Sequence, residues 1–511
     1  MQTSRRDFLR TLGASGACAS LPPSFWTHQA PDLRQRLAAD PLRPQFHLLP
    51  AKDWMNDPNG PIYWKGQYHM FVQYNPNAAV WGDMHWAHAV SEDMIHWRHL
   101  PVALAPTPGW DDADGCFTGS AVDDHGTATI LYTGVKSSPK EQATLRDNVN
   151  NFREVQCLAT SSDPQLLTWN KWKQPVIQPP NDPRLTGFRD PFLWREGDTW
   201  FLGVGSGLAK QGGRVLLYRS KDLRQWEYLH PLAVGTWTER ESVNPVDSGE
   251  MWECPDFFSL GKKHVLLYST AGQVLWESGQ LDRKELVFHS ERRGLLDHGA
   301  YYAQKTQLDA TGNRILWGWI PETRPEAEFS AAGWAGCMAL PRVLSLNSEG
   351  ILEMQVAPAT QTLRAKSFAL PRRNASVSET NHALEEIQIE NVAGEISWKT
   401  KSLNSEFKLL DGSGIWWSAK TAARGDSALT LTVNGTSFEL PLRSASEIEF
   451  HLFLDASVAE LICNRQHALT TRIYRKPVGP LPARISENDL FAPTLLEARQ
   501  LRPISTDRLS T

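Results

Sequence analysis

Apolar residues in this chain come in short bursts. From about residue 45 to 345, aromatic and β-branched runs are cut by Gly, Pro, Asn and Asp, and no long stretch repeats at helical spacing. Punctuation of this kind predicts many short strands. A repeat runs through them. SEDMIHW (91–97), SSDPQLLTW (161–169) and SKDLRQW (220–226) each set an Asp a few residues before a Trp, after strand-like runs such as WAHAV, VQCLAT and RVLLYR. GQLDRKELVF (279–288) is a degenerate fourth copy with Phe in place of Trp. Copies recur about every 60 residues, which predicts the blades of a β-propeller, each a four-stranded sheet. GPIYW, FTGSAV, RDPFLW, CPDFFSL and YYAQKTQL read as five blade openings; a β-sandwich with chance similarity is the competing reading.

After LPRVLSL (340–346) the texture changes. Residues 360–505 alternate apolar and polar positions, as in ALTLTVNGTSFELPL and EIEFHLFLDASVAELICN, and Asn434-Gly435 is a hairpin signal. The expected class is therefore all-β: a five-bladed propeller over 45–346, a linker over 347–359 and a β-sandwich over 360–505. Residues 20–44, rich in Pro, Ala and charge, read as a leader linker.

Residues 1–19 are of another kind. Arg5 and Arg6 precede a short, weakly apolar run and then Ala17-Cys18-Ala19, which resembles a twin-arginine export signal and predicts a periplasmic or extracellular protein. The run is too short to span a bilayer. Cleavage after Ala19 leaves Cys116, Cys157, Cys254, Cys337 and Cys463, an odd set without a CxxC pair, which argues against a disulfide framework or a zinc site.

Composition narrows the partners. The chain has 511 residues and a formal charge of −5 with no long basic run, so nucleic acid and anionic membrane are not expected partners. It also carries 21 Trp, rings that serve either all-β cores or sugar platforms.

The chemistry sits where the strands begin. Asp57 in WMNDPNG (54–60), Asp190 in RDPFLW and Glu253 in MWECPDFF all stand at blade openings, and first strands of propeller blades line a central channel. WMNDPNG itself has strong turn chemistry, so Asp57 is expected in a tight turn. Three carboxylates converging on one funnel raise one another's pKa values, a costly arrangement unless it does something. Calcium is one use for such a set, although DDADG (111–115) is the nearest approach to a calcium loop and reads as an acidic turn. Glycoside hydrolysis is the other: one carboxyl protonates the leaving oxygen and a second attacks the anomeric carbon or directs water. No HExxH, GxxxxGK[ST] or GxSxG competes, and GVGSGLAKQGG (203–213) misses dinucleotide spacing and reads as a connecting loop.

WMNDPNG, FVQYNP, WGDMHWAHAVSEDMIHW, GCFTGSA, FRDP, MWECPDFF, DHGAYYAQKT, WGWI and WAGCMALPR occur in the order of the motif series of glycoside hydrolase family 32, the invertases and fructanases. FLDASVAELICN resembles the family's C-terminal sandwich motif. The phrasing is most similar to plant-type acid invertases and fructan exohydrolases. The resemblance implies a five-bladed propeller with a sandwich, and retaining cleavage of β-D-fructofuranosides without metal or cofactor. It implies Asp57 as nucleophile, Glu253 as acid/base and Asp190 as transition-state stabiliser, with Trp54, Asn56, Gln73, Trp81, Phe117, Thr118 and Arg189 at the fructose subsite. Phe117-Thr118-Gly119-Ser120 stands where the family usually has Trp-Ser-Gly-Ser, and STAGQVLWESGQLDRKELVF (269–288) lacks the acidic loop residues of plant sucrose-cleaving members. Fructosyl transfer through the same intermediate, and an inverting arabinan or xylan furanosidase, remain open at this point.

Overall fold

A computed structural model of the chain describes residues 32–509 apart from 148, 370–375, 386–387, 402, 425–427, 442–446, 478, 486–494 and 508. The export-signal reading at 1–19 falls outside the described residues. The fold is all-β. Between residues 53 and 356 the chain lays down five antiparallel sheets in sequence order, their first strands being Asp53–Pro58, Gly115–Asp124, Leu185–Glu196, Glu253–Leu260 and Tyr302–Leu308. Each sheet meanders outward from that strand through three more. Far along the chain, Trp334–Ala335 returns to pair in parallel with Asp53 and Trp54, tying the first sheet to the segment that interrupts the fifth.

The Asp–Trp repeat lies between third and fourth strands. Asp93, Asp163, Asp222 and Asp282 each accept hydrogen bonds from backbone N–H groups two to four residues on, holding the turn into the outermost strand. Its fourth copy works without the Trp: Phe288 packs in the core beside Phe257.

Three local expectations change. WMNDPNG is not a turn, because Asp53–Pro58 is a strand and the chain turns only after it. Residues 347–359, expected as a linker, contain Leu352–Val356, the outermost strand of the fifth sheet. GVGSGLAKQGG is strand at both ends, and its glycines mark close contact: a Cβ on Gly205 would lie 2.4 Å from the Trp252 carbonyl, and one on Gly207 1.7 Å from that of Glu250. In the leader, Leu33–Ala39 is a short helix whose Leu37 joins the core.

Beyond residue 363, two six-stranded sheets pack face to face around Trp398, Phe407, Trp417 and Phe450. Their core does not stand apart from the rest. Phe453, Val458, Ile462 and Ala468 belong to the same apolar cluster as Leu48, Trp319 and Leu340 of the preceding region. At that seam His47 bridges Asp455 and Glu460 at 2.7 and 2.8 Å, and Arg342 joins Glu460 to Asp297 at 2.6 and 3.1 Å.

Candidate active site

Every first strand carries the same irregularity. Its register slips by one residue against the second strand, between Met55 and Pro58, Cys116 and Gly119, Arg189 and Phe192, Glu253 and Asp256, and Tyr302 and Lys305. These are β-bulges, which re-aim side chains and recur beside active sites. Two of them contain Asp190-Pro191 and Cys254-Pro255, and the first contains Asn56-Asp57 and is bounded by Pro58; proline has no N–H to lose from the ladder and so settles at bulges. Asp190 and Cys254 take left-handed φ values of 64° and 48°, which turn their side chains out of the strand's alternation.

Equivalent places on neighbouring strands then meet. Arg189, just ahead of its bulge, donates from Nη2 to Glu253, just ahead of the next, at 3.0 Å, and Tyr302, in the same place on the fifth strand, donates to the other Glu253 oxygen at 2.7 Å. Inside the bulges, the Cys254 N–H donates to Asp190 at 2.8 Å. The Cys254 thiol lies 3.4 Å from Asp57 Oδ2 and 3.5 Å from Asp190 Oδ2, so one sulfur touches both carboxylates. Arg189 also reaches Glu154 at 2.8 Å, and the second Glu154 oxygen accepts the Phe188 N–H.

Asp57 is held from behind. Asn56 donates to Oδ1 at 2.9 Å and Thr118 donates to Oδ2 at 2.7 Å, while Gln73 bonds to both Asn56 and Thr118 and the Trp54 indole donates to Asn56. The carboxylates are buried. Burial pushes the Asp190 carboxyl up to about 6, with Asp57 and Glu253 adding to the rise and Arg189 opposing it. Burial also raises the Cys254 thiol well above its usual range, beside Asp190 and Asp57, so the sulfur stays protonated and donates.

The three carboxylates open on a cavity of about 50 Å³, shared with Gln73, Trp81, Phe117 and Arg189. Trp81 and Phe117 form an edge-to-face wall with centroids 5.9 Å apart. Trp54, Asn56 and Thr118, expected at the subsite, do not line it; Trp54 is core, against Trp319 and Phe329, and the other two act through Asp57. Glu154, Tyr302, Asp147, Asn150 and Asn244 were missed. An acid inside the apolar run EVQCLAT was the signal for Glu154, and the DHGAYYAQKT motif for Tyr302; the other three stand on loops without a pattern. Among the described residues no group of three or more His, Cys, Asp and Glu side chains is placed to hold a metal ion.

The model for the glycosyl hydrolases family 32 N-terminal domain matches residues 47–355. A sucrose-6-phosphate hydrolase of Escherichia coli is 35% identical over 85% of this chain and 90% of its own, and a raffinose invertase of Escherichia coli is 35% identical over 84% and 89%. Among solved structures, a family 32 β-fructofuranosidase of Bombyx mori superposes with a TM-score of 0.73 at 29% identity, covering 92% of this chain and 96% of that one. With its motifs in order, its bulged carboxylates in one cavity and a matching domain model, the chain belongs to glycosyl hydrolase family 32.

Proposed function

We propose that the protein is a retaining β-fructofuranosidase that releases terminal β-D-fructofuranosyl units from sucrose or fructans. The observation that carries this reading is the shared cavity of Asp57, Asp190 and Glu253, each oriented by fixed donors. Asp57 attacks the anomeric carbon while Glu253 protonates the leaving oxygen, giving a fructosyl-enzyme. Glu253, now ionised, takes a proton from water, which attacks that carbon and frees Asp57. Asp190 accepts hydrogen bonds from ring hydroxyls as positive charge develops, and Gln73, Trp81, Phe117 and Arg189 shape the fructose subsite. Every step is carried by side chains and water, and the substrate is the only partner the site calls for.

The five sheets are read as blades of a closed propeller. Support comes from the order in which the second to fifth first strands neighbour one another and the fifth neighbours the first, from the Thr118–Asp57 hydrogen bond between the second and the first, and from the return of Trp334–Ala335 to the first sheet. The two later sheets then form the β-sandwich. The twin-arginine reading of residues 1–19 makes the enzyme an exported one, and replacing Arg5 and Arg6 with Lys should hold it in the cytoplasm.

The test is chromatography of the sugars released from sucrose, phosphorylated sucrose, inulin, levan and arabinan, with Glu253→Gln as control. Free fructose that vanishes in the control is the expected result. Arabinose alone, or no product, would remove the proposal.

A further inference from the structure

The five inner strands run on past the catalytic cavity. Residues 120–123, 192–196, 256–259 and 305–308, late in four of these strands, and residues 60–63, just beyond the end of the first, line a second cavity of about 790 Å³. Since Asp57, Asp190 and Glu253 each come before these residues along the chain, this cavity opens at the other end of the channel, and no residue lines both.

Its floor holds polar groups without partners. Gln307 is 4% exposed, and neither its amide nitrogen nor its amide oxygen has a hydrogen bond among the described residues. Lys305, 2% exposed, gives its ammonium to the Pro255 carbonyl at 3.1 Å and has no carboxylate within ion-pair reach among the described residues. Arg314 Nε and His264 Nδ1 are likewise unpartnered. A buried polar group left unmade costs about 1–3 kcal/mol, so several around one cavity point to an occupant.

The lining selects the kind of occupant. It carries four Lys and Arg side chains and four carboxylates, a formal charge of zero. Donors and acceptors are mixed, and Tyr63, 37% exposed, presents a ring at the rim. Hydroxyls in every direction and a flat apolar face are what a sugar offers such a surface. We propose that the far end of the channel is a second sugar site, separate from the catalytic cavity, which takes one hexose or the end unit of an oligosaccharide. The inference does not depend on which glycoside is cleaved.

Equilibrium dialysis of the full-length protein against labelled fructose tests it, with sucrose hydrolysis measured on the same samples. The wild type should bind one equivalent more than Gln307→Leu and Tyr63→Ala, while both variants hydrolyse sucrose at the wild-type rate. Tyr63 lies at an exposed rim, so its variant keeps the test open if Gln307→Leu fails to fold. Equal stoichiometry in the wild type and both variants would overturn the second site; a failure of hydrolysis alone would bear only on the catalytic reading.

Discussion

In the catalytic cluster, Glu154 and Glu253 pair with one guanidinium, that of Arg189, which also acts on Asp190, while Asp57 is held by the neutral Asn56 and Thr118. At the seam between the two halves of the molecule, Asp297, Asp455 and Glu460 face two cations, Arg342 and His47, and the backbone N–H groups of Gln45, Phe46, Leu340 and Thr470 fill the remaining acceptor sites. Both clusters are buried, yet their titration runs in opposite directions. Burial would lower the pKa of His47, but Asp455 and Glu460 outweigh it and hold the ring up at about 9. Burial would raise Glu460, but Arg342 and His47 bring it down to about 2. Asp190, by contrast, is left at about 6. Complete pairing makes a joint, whereas incomplete pairing keeps carboxylates reactive at some cost to the fold.

The sharpest way to separate the clusters is to disable one chemically without loosening it. Asp57→Asn and Glu253→Gln should each lower kcat by on the order of 10³-fold or more while circular dichroism and Tm stay near wild type. A comparable loss of stability would make these residues structural. The converse comes next. Arg342→Leu strands Asp297 and Glu460 in a sealed space and should cost about 3–5 kcal/mol in denaturant unfolding, with kcat/KM of the folded enzyme nearly unchanged.

Titration sharpens the contrast further. A raised carboxyl holds a proton in the folded state that the unfolded chain has lost, so Asp190 subtracts stability as pH rises from about 4 through about 6. Asp190→Asn should therefore raise Tm at pH 8, by on the order of 1–3 kcal/mol in stability, with the gain closing toward pH 4. The seam behaves otherwise. His47 adds stability that is complete below its ordinary value of 6.5 and lost as pH rises through about 9. Wild-type Tm should fall over that interval, and His47→Gln, weaker throughout, should lack the slope. The smallest effect is expected at Cys254, whose thiol steadies Asp57 and Asp190: Cys254→Ala should move the acid limb of the rate profile upward by about half a unit and spare turnover. Its left-handed φ rules out a β-branched replacement.

Much of the catalytic cluster was legible, because Asp-Pro, Asp-Pro and Glu-Cys-Pro on the first strands of three sheets carry their reason in the chain: proline at or beside a bulge, a carboxylate next to it. WMNDPNG misled at the local level. Its turn propensity is real, but pairing on both edges of Asp53–Pro58 overrides it and turns the irregularity into a bulge. The seam was far less legible. Asp455 and Glu460 were visible in FLDASVAELICN, but their partners His47 and Arg342 are more than a hundred residues away and belong to no common pattern. Trp54 shows a further limit: motif membership does not say whether a residue faces the sugar or supports one that does.

The central claim is that Asp57 carries the sugar between the two half-reactions. Glu253→Gln, mixed with a fructosyl donor bearing a good leaving group and then digested, should yield one fructosyl unit on the peptide that contains Asp57. The unit on the Asp190 peptide, or product formed with no covalent species on either, would contradict it.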